Sequence, residues 1–179
     1  MRQQQGFSLI EVLVAALVIA LGILAMIAMQ VNATRLTKTS EIRTLGAMLA
    51  GDLADRMRAN RTGFLSGNYT LTTKYPNAPT STDSTKAIAC NGSAKLCTTQ
   101  EIAQSDLADW RLAVSRALPN GAAWISTVDA TDEAVDVWLI WNEATERNTS
   151  DRNGDECVGN LVKSDANVTP RCMYFRITL

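Results

Sequence analysis

The feature that most constrains this chain is an apolar run near its start. Residues 12–29 read VLVAALVIALGILAMIAM, eighteen residues without one charged or hydrogen-bonding side chain. A helix needs roughly 20 apolar residues to cross a bilayer, and a helix of a soluble core normally keeps a polar face, which this run lacks. Extended back to Phe7, the run contains a single charge, Glu11. The pattern therefore predicts a membrane-spanning helix over residues 7–29.

Two ordinary kinds of N-terminal segment account poorly for this run. A secretory signal has an apolar stretch of roughly 7–15 residues followed by a small-residue cleavage site, whereas here the stretch is longer and residues 28–30, Ala-Met-Gln, match such a site poorly. A plain anchor accounts for the length but not for Glu11, because a charge within a spanning segment costs up to about 2.5–3.5 kcal/mol. Glu11 therefore either has a charged partner or extends to the lipid headgroups.

The overall composition excludes several classes of function. The chain has 179 residues, with 17 Lys and Arg against 18 Asp and Glu. This balance argues against a nucleic-acid binder, which normally carries a basic excess. The chain also has no histidine, which removes Ser-His-Asp and Cys-His nucleophilic machinery and the commonest zinc and proton-transfer chemistry.

Residues 6–15, GFSLIEVLVA, resemble the class III signal of type IV pilins and of type II secretion pseudopilins. The resemblance implies that prepilin peptidase cleaves between Gly6 and Phe7 and then N-methylates Phe7. Glu11 would be the fifth residue of the mature chain, where the family's carboxylate pairs with the terminal amine of a neighbouring subunit. Such an amine needs a counter-charge in a low dielectric, and Glu11 lies about one helical turn further along.

The same resemblance implies a division of the chain and a route to the cell surface. The four parts are a cleaved leader (1–6), the membrane or filament-core half of a long helix (7–29), its second half (30–61), and a globular α/β head (62–179). The precursor would cross the inner membrane once, with its head in the periplasm, before the mature chain reaches the pilus. Hydropathy alone leaves the orientation open, because Arg2 on one side faces Arg35 and Lys38 on the other.

Helical periodicity continues beyond the apolar run. Ile42, Leu45, Leu49, Leu53 and Met57 recur at spacings of three and four and form one apolar stripe. This spacing predicts a single helix from Phe7 to about Asn60, which ends where Asn60 and Gly63 provide a stop signal.

A second resemblance lies at the end of this helix. Residues 52–61, DLADRMRANR, followed by Gly67-Asn68-Tyr69, are similar to a signature of PilV-type minor pilins of the type IVa pilus. Within the signature, Asp52 stands four residues before Arg56, the favourable order for an exposed helical ion pair. A minor pseudopilin of a type II secretion system is the alternative.

The rest of the chain predicts an α+β, pilin-like head. Thr98 and Glu101 form a capping box before a second helix, whose apolar face is Ala103, Leu107, Trp110, Val114 and Leu118. The period then changes to two, and three short segments are predicted as strands of a small antiparallel sheet: Ala122–Val128, Ala134–Asn142 and Cys172–Leu179. Three tryptophans, Trp124, Trp138 and Trp141, are interpreted as sheet and core packing rather than as a ligand site.

The four cysteines lie in the part of the chain that this route places outside the cytoplasm, where disulfides persist. Four cysteines allow three pairings. The local pairing joins Cys90 to Cys97 and Cys157 to Cys172, and pilins often staple a C-terminal loop to the last strand as Cys157–Cys172 would. A zinc site of all four cysteines is the competitor, but neither spacing is the usual one.

Other candidate sites are weak. Asp151, Asn153 and Asp155 place oxygen ligands at alternate positions as calcium loops do, but the loop departs from the EF-hand pattern, so a solvated turn is favoured and no metal is predicted. Asp129, Asp132 and Glu133 could serve acid-base chemistry but are interpreted as a polar hairpin turn.

These patterns are consistent with three functions. The favoured one is a minor pilin without enzymatic activity or cofactor, whose partners are the major pilin, other minor pilins, prepilin peptidase, the inner-membrane assembly platform and membrane lipid. Twitching motility, adhesion and DNA uptake are the outputs that the resemblance implies, without direct nucleic-acid binding. The second is an adhesive or ligand-binding module that uses residues 76–97 or 148–171, and the third is a membrane-tethered enzyme.

Overall fold

The computed structural model describes residues 8–76, 90, 96–127, 133–142, 157–158, 161 and 170–179. The chain divides into two compact units, Met1–Glu41 and Ile42–Leu179. Helix α1, Leu9–Ala59, contributes residues to both.

Within the first unit, the structure describes residues 8–41, which include the apolar start of α1. Its large apolar side chains are exposed from Leu9 to Val31, and its most apolar window has a mean hydropathy of 3.0, with none of that window buried. The helix is long and apolar enough to cross a membrane. This confirms the predicted apolar helix from Leu9 onward, whereas Phe7, its predicted first residue, lies outside the described residues.

In the second unit, α1 buries one face against the rest of the head. The buried residues are Ile42, Gly46, Ala50, Leu53, Ala54 and Met57. Leu45 and Leu49 are partly buried against the same core, so all five residues of the predicted stripe pack inward. Small residues on this face let the sheet approach closely: a Cβ at Gly46 would already lie 3.4 Å from Met173 Sδ.

The predicted end of α1 near Asn60 is confirmed, but the predicted role of Gly63 in ending it is wrong. The helix ends at Ala59, but a second short helix, α2, follows at once over Arg61–Leu65 and contains Gly63. The side chain of Asn60 accepts a hydrogen bond from Gly63 N and so caps α2. Gly63 is required for a different reason from the predicted one, because a side chain there would collide with Asn60.

Helix α3, Thr99–Ala117, agrees with the predicted second helix. The Thr98–Glu101 capping box is present, with both of its reciprocal hydrogen bonds. The predicted apolar face is buried at all five positions, Ala103, Leu107, Trp110, Val114 and Leu118. The indole of Trp110 donates to Leu49 O over 2.8 Å and ties α3 to α1.

The sheet has three antiparallel strands in the order β1-β2-β3. They are β1, Ala122–Thr127; β2, Ala134–Trp141; and β3, Arg171–Thr178. Each strand bound lies within one residue of the prediction. The predicted α+β fold, with a long apolar helix, a further helix and a small antiparallel sheet, is confirmed.

The two faces of the sheet have different surroundings. The inner face, which includes Ile125, Val137, Leu139 and Ile177, packs into the main core with α1 and α3. The outer face carries a smaller cluster of Tyr75, Ala122, Ile140, Leu161 and Cys172. The three tryptophans of the sheet divide accordingly, because Trp141 is buried in the main core while Trp124 and Trp138 are partly buried against the smaller cluster.

Candidate functional site: an apolar helix with one carboxylate and a polar network in the head

Glu11 lies in the first turn of α1. Its backbone N–H donates to Ser8 O over 3.0 Å, so the residue is held in helical geometry. Its side chain is exposed, as are those of the apolar residues around it, such as Ile10 and Val12. A carboxylate presented on an exposed apolar helix is suited to pair with a cation of another molecule once both are withdrawn from water. Gly6 and Phe7, the predicted cleavage and methylation positions, lie outside the described residues.

The signature at the end of α1 is part of a polar network within the head. Tyr69 is buried, and its hydroxyl donates to Asp106 Oδ2 over 2.5 Å. Arg56 Nη1 lies 3.5 Å from the other oxygen of Asp106, and Arg56 Nε pairs with Asp52 at 3.0 Å. The predicted Asp52–Arg56 pair is therefore present, and it continues to Asp106 on α3.

Asn60 connects this network to both neighbouring helices. Its side chain is almost wholly buried, at 6% exposed. The amide nitrogen donates to Tyr69 Oη over 3.2 Å and to Thr99 O over 2.7 Å, while the amide oxygen accepts from Gly63 N. Because a buried amide left without partners is costly, these bonds hold the ends of α1, α2 and α3 together.

Burial and these hydrogen bonds also affect the acidity of the phenols. Burial, followed by the hydrogen bond to Asp106, raises the pKa of Tyr69 far above its ordinary value of 10.0. Burial likewise raises the pKa of Tyr75 on the outer face. Both phenols therefore favour the neutral form in the folded head.

The remaining charged groups of the signature are exposed. Arg58 pairs with Asp55 at 2.8 Å, and Arg61 pairs with Glu133 at 2.6 Å. Exposed pairs of this kind each stabilise a protein by about 0–1 kcal/mol. The signature is thus explained mainly by packing and hydrogen bonding within the head.

Sequence reasoning missed Asp106, which is the acceptor at the centre of this network. The residue stands beside Leu107 and three positions after Ala103, at the edge of the apolar face of α3. A carboxylate at such an edge predicts a polar partner nearby, but the sequence does not say that the partner is Tyr69, because the two residues lie 37 positions apart.

The cysteines are joined as Cys90–Cys97 and Cys157–Cys172, with Cα–Cα distances of 5.9 and 5.0 Å. Cys172 is buried in the cluster of the outer face, and Cys157 is exposed. Leu161 belongs to the same cluster as Cys172 and is fully buried. The carbonyl of Leu161 accepts a hydrogen bond from Tyr75 N over 2.8 Å. The second disulfide and Leu161 together attach the chain before β3 to the outer face.

Other predicted candidates fall largely outside the described residues. This holds for the calcium candidates Asp151, Asn153 and Asp155 and for Asp129 and Asp132. Glu133 is described, and it faces Arg61 across an ion pair. Within the described part of the chain, no group of three or more His, Cys, Asp or Glu side chains could hold a metal ion.

Two family models match the chain. Residues 28–108 match the family described as type IV pilin Tt1218, and residues 1–27 match the prokaryotic N-terminal methylation motif. The matches adjoin, and the second includes Gly6, Phe7 and Glu11. No curated protein and no solved structure matches the chain.

The boundary between the two matches lies within α1, and the three strands of the sheet lie outside both matches. The methylation motif covers the start of the exposed apolar helix, and the pilin model covers the rest of α1, α2 and the first half of α3. Neither description names a PilV-type or minor pilin. Together, the two matches and the α+β fold show that the chain is similar to type IV pilins and carries an N-terminal methylation motif.

Proposed function

We propose that the chain is a minor pilin of the type IV pilus. Prepilin peptidase cleaves it between Gly6 and Phe7 and methylates Phe7, and the mature chain enters the filament, or the complex that initiates it, through α1. The observation that carries the proposal is the single carboxylate, Glu11, on an otherwise apolar and exposed helical segment. The match of residues 1–27 to the methylation motif supports the processing step.

The role of Glu11 follows from electrostatics. Cleavage after Gly6 would leave a charged amine on Phe7 at the head of an apolar helix. In a low dielectric that amine and the Glu11 carboxylate are each costly alone, and pairing between neighbouring subunits lowers the cost of both. Such a pair also sets the axial offset between adjacent helices, because it forms at only one register.

The assignment as a minor pilin of the PilV type rests on the signature of residues 52–61 and 67–69. In the fold, Arg56, Asn60 and Tyr69 of this signature form the network that joins α1, α2 and α3. On this proposal the partners are the major pilin, other minor pilins and the inner-membrane assembly platform. Twitching motility, adhesion and DNA uptake are the outputs that would depend on it.

The proposed location is the inner membrane for the precursor, with its head in the periplasm, and the pilus surface for the mature chain. The two disulfides support a periplasmic head, because disulfides persist in oxidising compartments.

Quantitative proteomics of sheared pili and of membranes tests this function. The proposal predicts that the mature chain is present in the sheared pili and is greatly outnumbered there by the major pilin. Equal abundance with the major subunit would contradict a minor role. Mature chain confined to the membranes of cells that do bear pili would exclude entry into the filament and would favour an initiation complex or a pseudopilin of a secretion system.

A further inference from the structure

The outer face of the sheet carries three aromatic side chains in one row. The strand register pairs Trp124 with Trp138 and Trp138 with Tyr174, so the three stand side by side across β1, β2 and β3. The ring centroids of Trp138 and Tyr174 are 5.1 Å apart, with the planes inclined at 43°. We call these three residues the aromatic row.

The aromatic row lies between an apolar row that is buried and a polar row that is partly exposed. On one side, the next row of paired residues across the three strands consists of Ala122, Ile140 and Cys172. This row is buried together with Tyr75 and Leu161. The side chains of the aromatic row are themselves only partly buried. The row therefore retains accessible ring surface next to the covered cluster.

The polar row is formed by Ser126, Asp136 and Arg176. Asp136 Oδ1 accepts a hydrogen bond from the hydroxyl of Tyr174 over 2.8 Å, and it lies 4.0 Å from Arg176 Nε. A hydroxyl, a carboxylate and a guanidinium thus stand next to the rings. The two charges oppose one another, so this part of the surface has no net charge.

We propose that the aromatic row and the polar row together bind a neutral oligosaccharide. A pyranose ring has an apolar face of C–H groups, which packs on the negative face of an aromatic ring. Its hydroxyls, at the ring edge, need donors and acceptors such as those of Ser126, Asp136 and Arg176. Adjacent strands lie about 4.8 Å apart, so a row across three strands offers successive contacts to an extended sugar chain.

Single-stranded nucleic acid also stacks on aromatic rows, but it requires a positively charged groove for its phosphates. Here Asp136 faces Arg176 within the row itself, and the whole chain has a formal charge of −1. The local charge therefore favours a neutral sugar over a polyanion. This activity is independent of the proposed role in pilus assembly, because it needs only the folded head.

The test uses the full mature chain in a detergent without a sugar headgroup, titrated with cellohexaose, with chitohexaose and with the oligonucleotide dT12. Binding is measured by calorimetry and by the indole N–H resonances of the wild-type protein. We expect at least one oligosaccharide to bind with a dissociation constant on the order of 0.1–1 mM. We also expect it to shift the resonances of Trp124 and Trp138 and to leave that of Trp110 in place.

Substitutions provide a matched comparison. Trp124→Ala and Trp138→Ala should each weaken binding about tenfold, because each removes one stacking surface. Trp110→Phe, in the core beneath the inner face, should leave the affinity unchanged. The proposal is overturned if neither sugar binds at millimolar concentration, if binding leaves the Trp124 and Trp138 resonances in place, or if dT12 binds more tightly than both sugars. The resonance measurement needs no variant, so it decides the matter even where an alanine variant fails to fold.

Discussion

Glu11 is the one charged side chain between Phe7 and Met29. An unpaired charge within a membrane segment costs up to about 2.5–3.5 kcal/mol, so its presence needs a compensating interaction. The proposed compensation is the amine that processing creates on Phe7 of a neighbouring subunit. This makes the carboxylate a requirement of assembly rather than of folding.

Glu11→Val should therefore abolish incorporation into pili while the head remains folded. Valine suits the apolar helix but offers no counter-charge to the amine. The measurement is an immunoblot of sheared pili and of membranes, combined with thermal unfolding of the purified chain. We expect the variant in membranes only, with the melting temperature of the head unchanged.

Glu41→Gln is the matched control for this experiment. It removes one carboxylate from the same helix, beyond the apolar run, where Glu41 makes an exposed pair with Lys38 at 3.0 Å. It should be incorporated normally. Equal loss of incorporation in both variants would mean that net charge on α1, rather than a specific pair at Glu11, governs assembly.

Tyr69 is the second residue whose role can be tested, through its buried hydroxyl. Tyr69→Phe removes the donor to Asp106 and the acceptor for Asn60, and should lower the free energy of unfolding by about 1–2 kcal/mol. Tyr174→Phe is the control, because its hydroxyl makes a comparable bond to Asp136 from a partly exposed ring. Denaturant titration followed by tryptophan fluorescence should show the smaller loss for Tyr174→Phe, and the reverse order would contradict the network.

Tyr69 also determines how the stability of the head should depend on pH. The pKa of Tyr69 is raised in the folded head, so the folded state holds the phenolic proton more tightly than the unfolded state does. Its contribution to stability is then complete below about pH 10 and falls as the pH rises above that value. Above about pH 10, wild-type stability should therefore decline more steeply with pH than that of Tyr69→Phe. Equal slopes for the wild type and Tyr69→Phe would contradict this assignment. Tyr75→Phe should also reduce the decline of stability with pH, because burial raises the pKa of Tyr75 in the folded head.

Residue roles were predictable from sequence only where the pattern is local. The Asp52–Arg56 pair and the Thr98–Glu101 capping box are defined by spacings of four and three within one helix or its cap, and both are present. The Tyr69–Asp106 bond joins two segments that only tertiary packing brings together, and no local spacing encodes it. Gly63 was assigned to the wrong role, because its neighbour Asn60 caps a following helix that periodicity did not reveal.

Strand β3 is attached to the preceding chain by a disulfide. Cys157–Cys172 closes a loop with a sequence separation of 15 and holds the buried Cys172, whereas the separation for Cys90–Cys97 is 7. By loop entropy these links stabilise the fold by about 3 and about 2 kcal/mol. Replacing Cys157 and Cys172 by serine should lower the melting temperature more than replacing Cys90 and Cys97, since it also places a polar group in an apolar cluster. Calorimetry of the two double variants checks the order, and the opposite order would contradict this role for the outer cluster.

Two glycines of α1 allow a second prediction about how the elements pack. Gly46 faces Met173 and Leu139, whereas a Cβ at Gly51 would have nothing within 4 Å. Gly46→Leu should destabilise the head by about 1–3 kcal/mol through overpacking, while Gly51→Leu should stabilise it by up to about 1 kcal/mol through helix propensity. Thermal unfolding of both variants measures the difference, and equal effects would mean that α1 does not pack on the sheet through Gly46.

The elements were predicted well because their signals are strong. The apolar stripe of α1, the capping box of α3 and the change to period two in the sheet each repeat over several residues. What the periodicity did not contain was α2, which is five residues long and too short to establish a helical period. The residues that cover the outer face of the sheet also could not be predicted, since Tyr75 and Leu161 both lie outside the helices and strands.

For the whole molecule, the two units have separate requirements. Residues of the first unit present exposed apolar surface of the kind that a membrane or other subunits can cover. The second unit has its own core and its own polar network, and it offers the aromatic row as a surface for a ligand. This separation is why Glu11→Val and Tyr69→Phe should affect different measurements, assembly for one and stability for the other.

Intact-mass spectrometry of the chain from sheared pili distinguishes a processed pilin that enters the pilus from a plain anchored chain. For a processed pilin we expect the mass of a chain that begins at Phe7 and carries one added methyl group. The two disulfides should lower this mass by four hydrogens. An uncleaved chain that begins at Met1 and is found only in membranes would contradict this expectation.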